Sequence, residues 1–352
     1  MMPLLVTTLL TLPTVALPTG APQPVCRVDD DRLREISGMV ATSSGYILVN
    51  DGADDPAARR IFYLSKKCKV TKTVAYPSRP RDTEDMALAA DGTLWVGDIG
   101  DNGKNRETIA VWRLAPGAKS PKLFRLTYPD GPHDAEAMIA LPDGTPVVIT
   151  KDAGRAGLYR PDGKLSATRS TPMRHVGDFD VPGTTTANPY SFVGRLVVTG
   201  AATSADGRRV VIRTYADAFE FDVPDGDPIR AITSDTPREI PLPDEPQGES
   251  VAYSPDGESL LTISESQEGA PSDLLAYPLP ASDSASPSPS AGVAAASPTA
   301  GKAAPQATTA TSTTGVPAGA LVAGGVLLAA AALLGTAVSR RRRSGSSPRE
   351  GQ

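Results

Sequence analysis

The chain predicts an all-β fold, a β-propeller of five blades, or six if the interval 164–192 holds a divergent one. Three observations lead there. First, residues 83–92, 135–144 and 248–257 share one pattern: a short apolar run into Asp91-Gly92, Asp143-Gly144 or Asp256-Gly257. Asp-Gly tolerates the positive φ angles of a tight hairpin, so each run is an antiparallel pair of strands. Second, Glu84, Glu136 and Glu249 stand at the same distance before their turns. Two weaker copies carry Ser37 and Thr199 there, ahead of Ser44-Gly45 and Asp206-Gly207. Third, no stretch before the C-terminal region holds helical periodicity over a useful length.

The elements follow in order. Returning strands are predicted at 46–49, 93–96, 146–149, 210–212 and 259–262. Further strands are predicted at 60–64, 110–114, 158–160 and 274–277. Strand 25–28 stands free at the start, while the last copy lacks an outer strand. Pairing the two closes the ring and removes its open edges. Cys26 and Cys68 are the only cysteines, and a disulfide between them locks that closure.

Outside the propeller, 25–280, the ends carry address information. Residues 1–16 form an uncharged apolar run ending in Thr14-Val15-Ala16, the small-residue pattern of a signal-peptide cleavage site. Residues 281–316 are Ser, Ala, Pro and Thr-rich, a disordered stalk. Residues 317–339 are long and apolar enough for a transmembrane helix, and Arg340 to Arg343 place the tail, 340–352, in the cytoplasm. The expected protein is a single-pass plasma-membrane protein with an extracellular propeller. Its net charge of −5 and the lack of a basic block outside the tail exclude nucleic acid as a natural partner.

Several segments carry a resemblance. Residues 82–87, 96–102, 128–131 with 134–137, 199–215 and 247–250 are similar to segments of a family of secreted bacterial β-propellers abundant in actinobacteria. More distantly the chain resembles propeller phytases and esterase-like phytase homologues. The resemblance implies a propeller and no particular activity.

Equivalent positions in blades lie at equivalent heights. Glu84, Glu136 and Glu249, with Ser37 and Thr199, are therefore expected as a ring near one mouth of the central channel. Candidate ligand-binding residues are Glu84, Asp85, Glu136, Glu249, Lys151 and Arg213. Candidate metal ligands are Asp98, Asp101 and Asn102, whose oxygens suit Ca²⁺. A packing role for the repeated Glu is the competing reading. His133 and His175 lie in no triad motif, and no nucleophile elbow is present. On these grounds the chain reads as a surface module binding an extracellular ligand or protein; the alternative is an extracellular Ca²⁺-assisted hydrolase such as a phosphoesterase.

Overall fold

The computed structural model describes residues 21–265 and 270–280. Twenty strands run β1 Gln23–Val28, β2 Ile36–Thr42, β3 Gly45–Asn50, β4 Arg60–Ser65, β5 Val70–Ala75, β6 Thr83–Leu88, β7 Leu94–Asp98, β8 Ile109–Leu114, β9 Lys122–Thr127 and β10 Ala135–Ala140. They continue as β11 Pro146–Thr150, β12 Arg155–Pro161, β13 Thr171–Asp180, β14 Val198–Thr203, β15 Arg209–Thr214, β16 Asp217–Asp222, β17 Arg238–Pro241, β18 Gly248–Tyr253, β19 Ser259–Ser264 and β20 Ser272–Pro278. Pairing gives three four-stranded sheets and one of eight. The eight-stranded sheet is two antiparallel meanders, β6–β9 and β10–β13, joined edge to edge by a short parallel contact of β9 with β13.

The Asp-Gly repeat explains the tight turns. In each, the Asp carboxylate accepts the backbone N–H two residues on: Thr93 at 2.8 Å, Thr145 at 2.9 Å, Arg208 at 3.0 Å and Glu258 at 3.0 Å. The following glycine takes a positive φ, from +68° at Gly207 to +80° at Gly92, which a side chain would resist.

The first strands of the meanders, β2, β6, β10, β14 and β18, pack each against the next, and β18 returns to β2. Apolar clusters fill the wedges between neighbouring meanders. One example joins Val40, Val49 and Ile61 to Met86, Val96 and Trp112. Another joins Val211 and Ile240 to Val251 and Leu260. The chain is thus a β-propeller, held by sheet-on-sheet burial rather than by one central core.

Closure occurs as expected. Strand β1 pairs antiparallel with β20 and supplies the outer strand of the last meander. Cys26 on β1 is disulfide-bonded to Cys68 in the turn between β4 and β5, with Cα atoms 5.9 Å apart. First and last sheets are therefore joined covalently as well as by packing.

Two short helices accompany the strands, α1 Ser191–Gly194 and α2 Pro228–Ser234, neither long enough to show a helical period in the sequence. Both lie in connectors. Asp227 caps α2 by accepting from Arg230 N at 3.0 Å, with Pro228 in its first turn. The interval 164–192 contains β13 and part of the connector that carries α1. The expected signal peptide, stalk, transmembrane helix and tail lie outside the described residues. Among the described residues, no helix is long and apolar enough to cross a membrane.

Candidate active site at the channel mouth

Each innermost strand carries an irregularity of register at the same point. It falls between Ile36 and Gly38, Thr83 and Asp85, Ala135 and Ala137, Val198 and Gly200, and Gly248 and Ser250. The residues so bulged out are Ser37, Glu84, Glu136, Thr199 and Glu249, the repeated positions of the sequence. A bulge unpairs one residue and re-aims its side chain. Close strand approach explains the small residues that follow: a Cβ on Gly38 would lie 3.0 Å from the Asp85 backbone, and one on Gly200 would overlap the Glu249 carbonyl oxygen.

Side-chain contacts link several ring positions to one another and to the loops beside them. Ser37 Oγ donates to Glu84 Oε2 at 3.1 Å, and Lys151 Nζ meets Glu136 Oε1 at 2.7 Å. Gln247 Nε2 donates to Glu249 Oε1 at 3.0 Å and also to Glu265. Tyr190 Oη donates to Gln247 Oε1 at 2.9 Å, and its ring stacks on Tyr215 with centroids 4.4 Å apart. Lys151 Nζ sits 5.6 Å from the Tyr215 centroid, and its side chain keeps 19% exposure, so solvent reaches it.

Beside Glu84 lies the tightest cluster of acids. Carboxylate oxygens of Asp51, Asp82 and Glu84 fall within 4.8 Å of one another. Asp51 follows β3 and Asp82 immediately precedes β6, so adjacent meanders supply it. Two glycines make room. A Cβ on Gly100 would overlap Glu84 Oε1 and lie 2.8 Å from Asp82 Oδ2; one on Gly52 would lie 2.6 Å from Asp82 Oδ1. Backbone is thus wrapped closely around oxygens that repel each other.

The electrostatics follow from that crowding. Burial, then Asp51, pushes Asp82 up to about 9. Burial, then Asp51 and Glu136, holds Glu84 well above the ordinary carboxylate range. Glu249 is raised by burial, then by Glu136 and Glu265. Burial and Asp51 take Glu265 to about 8. Glu136 rises only to about 7, because Lys151 opposes its burial. Burial works against the Lys151 ammonium, but Glu136 and Tyr215 outweigh it and raise its pKa well above the usual value. Among the described residues, Lys151 is the one cation ion-paired with these acids. The mouth therefore holds excess negative charge that protons or a cation must neutralise.

The remaining expected site residues have other duties. Asp85 is 1% exposed, and its carboxylate accepts Met86 N at 2.7 Å, Met138 N at 2.8 Å and Ala201 N at 3.2 Å. It ties β6, β10 and β14 together across the ring axis, below the mouth, so the ligand role expected of it is corrected to a structural one. Arg213 is fully buried: its guanidinium contacts Glu245 Oε2 at 2.9 Å and Ser250 O at 2.8 Å. It too is corrected from ligand binding to blade joining. Asp98 accepts Arg81 N and Asp82 N at 3.1 Å each and pairs with Arg106 at 2.9 Å, fixing the segment that presents Asp82. Asp101 accepts Arg106 N at 2.8 Å, and Asn102 is exposed beside it. These three stand one shell away from the carboxylate cluster. Asp51, Asp82, Glu265 and Tyr190 were not among the candidate site residues of the sequence, although the polar loops holding Asp51 and Glu265 follow returning strands. The signal was partial: Asp51-Gly52 lies in a polar loop after a strand, and Asp82 opens the motif containing Glu84.

No protein-family model matches the chain, and none of the curated proteins does. Solved structures do. A gluconolactonase from Xanthomonas campestris, XC5397, shares 15% identity over 70% of this chain and 72% of its own, with a TM-score of 0.40. A luciferin-regenerating enzyme shares 15% identity over 68% of this chain and 76% of its own, with a TM-score of 0.39. Virginiamycin B lyase from Staphylococcus aureus shares 12% identity over 69% and 66%, with a TM-score of 0.35. The chain spans 65% of the length of a streptogramin B lyase structure. These similar structures are enzymes, and the expectation of a pure binding module is corrected accordingly. At such TM-scores the likeness is one of fold alone; acids perturbed as those of the mouth are gather at functional sites.

Proposed function

We propose that the chain is a five-bladed, metal-assisted hydrolase acting on an acyl or phosphoryl ester at the channel mouth. One observation carries the reading: the cluster of Asp51, Asp82 and Glu84 in the same mouth as the Glu136–Lys151 pair. The donor set is all oxygen, and glycine backbone is moulded around it. This suits a hard cation such as Ca²⁺, which takes carboxylate and carbonyl oxygens. When bound there, the cation supplies Lewis acidity toward water and the ester oxygen. The chain's own groups divide the rest. Lys151 holds an anionic group of the substrate, Glu136 accepts a proton from the attacking water, and Tyr190 with Tyr215 walls one side.

We propose further that the propeller works outside the cell, exported by residues 1–16 and tethered through 317–339. The Cys26–Cys68 disulfide supports an oxidising compartment.

The test is a melt of the purified chain in EDTA and then in Ca²⁺, alongside a panel of aryl esters, lactones and aryl phosphates. At a hundredfold excess over its dissociation constant, Ca²⁺ adds about 2.7 kcal/mol, or about 5–11 °C for a domain of this size. Glu84→Gln and Asp82→Asn should abolish that shift and the hydrolysis. A chain that neither responds to divalent cations nor turns over any member of the panel would sink the proposal.

A further inference from the structure

A cavity lies toward the other ends of the strands from the mouth. Of about 610 Å³, it opens beside the turn after β10, at the end of that strand remote from Glu136. Its size suits a small organic molecule. Leu141, Val176 and Ile229 give it apolar wall, while Arg160 and Arg174 line it with positive charge.

The two arginines are what demand an explanation. Arg160 on β12 and Arg174 on β13 are direct cross-strand partners. Like charges at such positions repel and destabilise a sheet unless something lies between them. Their compensation within the chain is slight. Arg160 reaches Asp143 only at 3.6 Å, and its buried Nε has no hydrogen-bond partner. Arg174 is exposed and forms no salt bridge among the described residues. The other acid of the lining, Asp227, is occupied in capping α2, and Asp143 also accepts Thr145 N. His175, also in the lining, pairs through Nε2 with Asp178 at 2.9 Å.

We propose that this cavity binds a small organic anion, its carboxylate or phosphate bridging Arg160 and Arg174 and its apolar body resting on Leu141, Val176 and Ile229. The site is independent of the mouth. The anion relieves the cross-strand repulsion through charge-assisted hydrogen bonds to the two guanidinium groups.

Calorimetric titration of the purified chain in EDTA tests this with 3-phenylpropionate, phenyl phosphate, inorganic phosphate and phenethylammonium. One of the two aryl anions should bind saturably at one per chain, and which one distinguishes carboxylate from phosphate. Inorganic phosphate should bind at least tenfold more weakly for want of an apolar body. Arg174→Gln, at an exposed position, and Arg160→Gln should each weaken the aryl anion at least tenfold. Glu84→Gln at the mouth should leave the affinity unchanged. The proposal is overturned if no anion gives saturable heat, if phenethylammonium binds equally well, or if binding survives both arginine substitutions.

Discussion

Glu136 offers the sharpest test of how the mouth is held together. It is 4% exposed, paired with Lys151, and lifted from an ordinary 4.5 to about 7. A folded-state pKa above the unfolded one means the folded chain holds its proton more tightly. The resulting stabilisation is complete below about pH 4.5 and is lost as pH rises through about 7. That separation corresponds to about 3 kcal/mol. For a domain of this size it amounts to about 6–12 °C in Tm. Glu136→Gln removes the ionisation while keeping an Oε1 acceptor for Lys151. Scanning calorimetry in EDTA from about pH 4.5 to about pH 8 should show the parent losing Tm faster than the variant by that amount. Both should keep declining above about pH 7, because Glu265 at about 8 and Asp82 at about 9 titrate there with the same sign. Parallel Tm curves for parent and variant would refute the reasoning, since they would mean that Glu136 does not feel its burial.

Three further outcomes follow from the same geometry. Gly100→Ala places a Cβ where Glu84 Oε1 now lies, so the Ca²⁺-induced rise in Tm should at least halve while the melt in EDTA moves little. Arg213→Met leaves Glu245 charged and buried without its partner; urea unfolding should show a loss of about 3–5 kcal/mol, and a loss below about 1 kcal/mol would reassign the pair. The Cys26–Cys68 disulfide spans a sequence separation of 42, so Cys68→Ser should cost about 4 kcal/mol by loop-closure entropy; intact mass with and without reduction checks first that the bond exists.

The repeat was legible because it has a physical cause in every copy. Asp91, Asp143, Asp206 and Asp256 each close their own turn, and the glycine after each needs its positive φ. The ring at the mouth was legible for a similar reason, since a bulged position recurs with the strand that carries it. Closure by β1 could be read from a strand without a partner at one end and a sheet short of one at the other. What stayed hidden lies where the residue type, not the position, changes between copies. Asp51 and Glu265 directly follow their returning strands, where Lys151 and Tyr215 stand in other copies, and Asp82 lies two residues before Glu84 as Asp134 and Gln247 lie before Glu136 and Glu249. Arg213 looked like a free cation because a sequence shows its charge but not Glu245, which lies 32 residues on and meets it only in the fold.

Asp85 shows why the departures from the repeat are the informative part. The position after each bulge is small in the other meanders, Gly38, Ala137, Gly200 and Ser250, because innermost strands pass close to one another there. An aspartate breaks that rule only if its carboxylate has somewhere to go. It has one: the ring axis, where backbone N–H groups of β10 and β14 converge on it. Burial still pushes its pKa well above the ordinary value against those donors, so the carboxylate gains less from them than it loses in hydration. A small apolar residue would avoid that cost but would leave those buried N–H groups without an acceptor. The carboxylate joins β6, β10 and β14 through backbone N–H groups at the residue directly after Glu84.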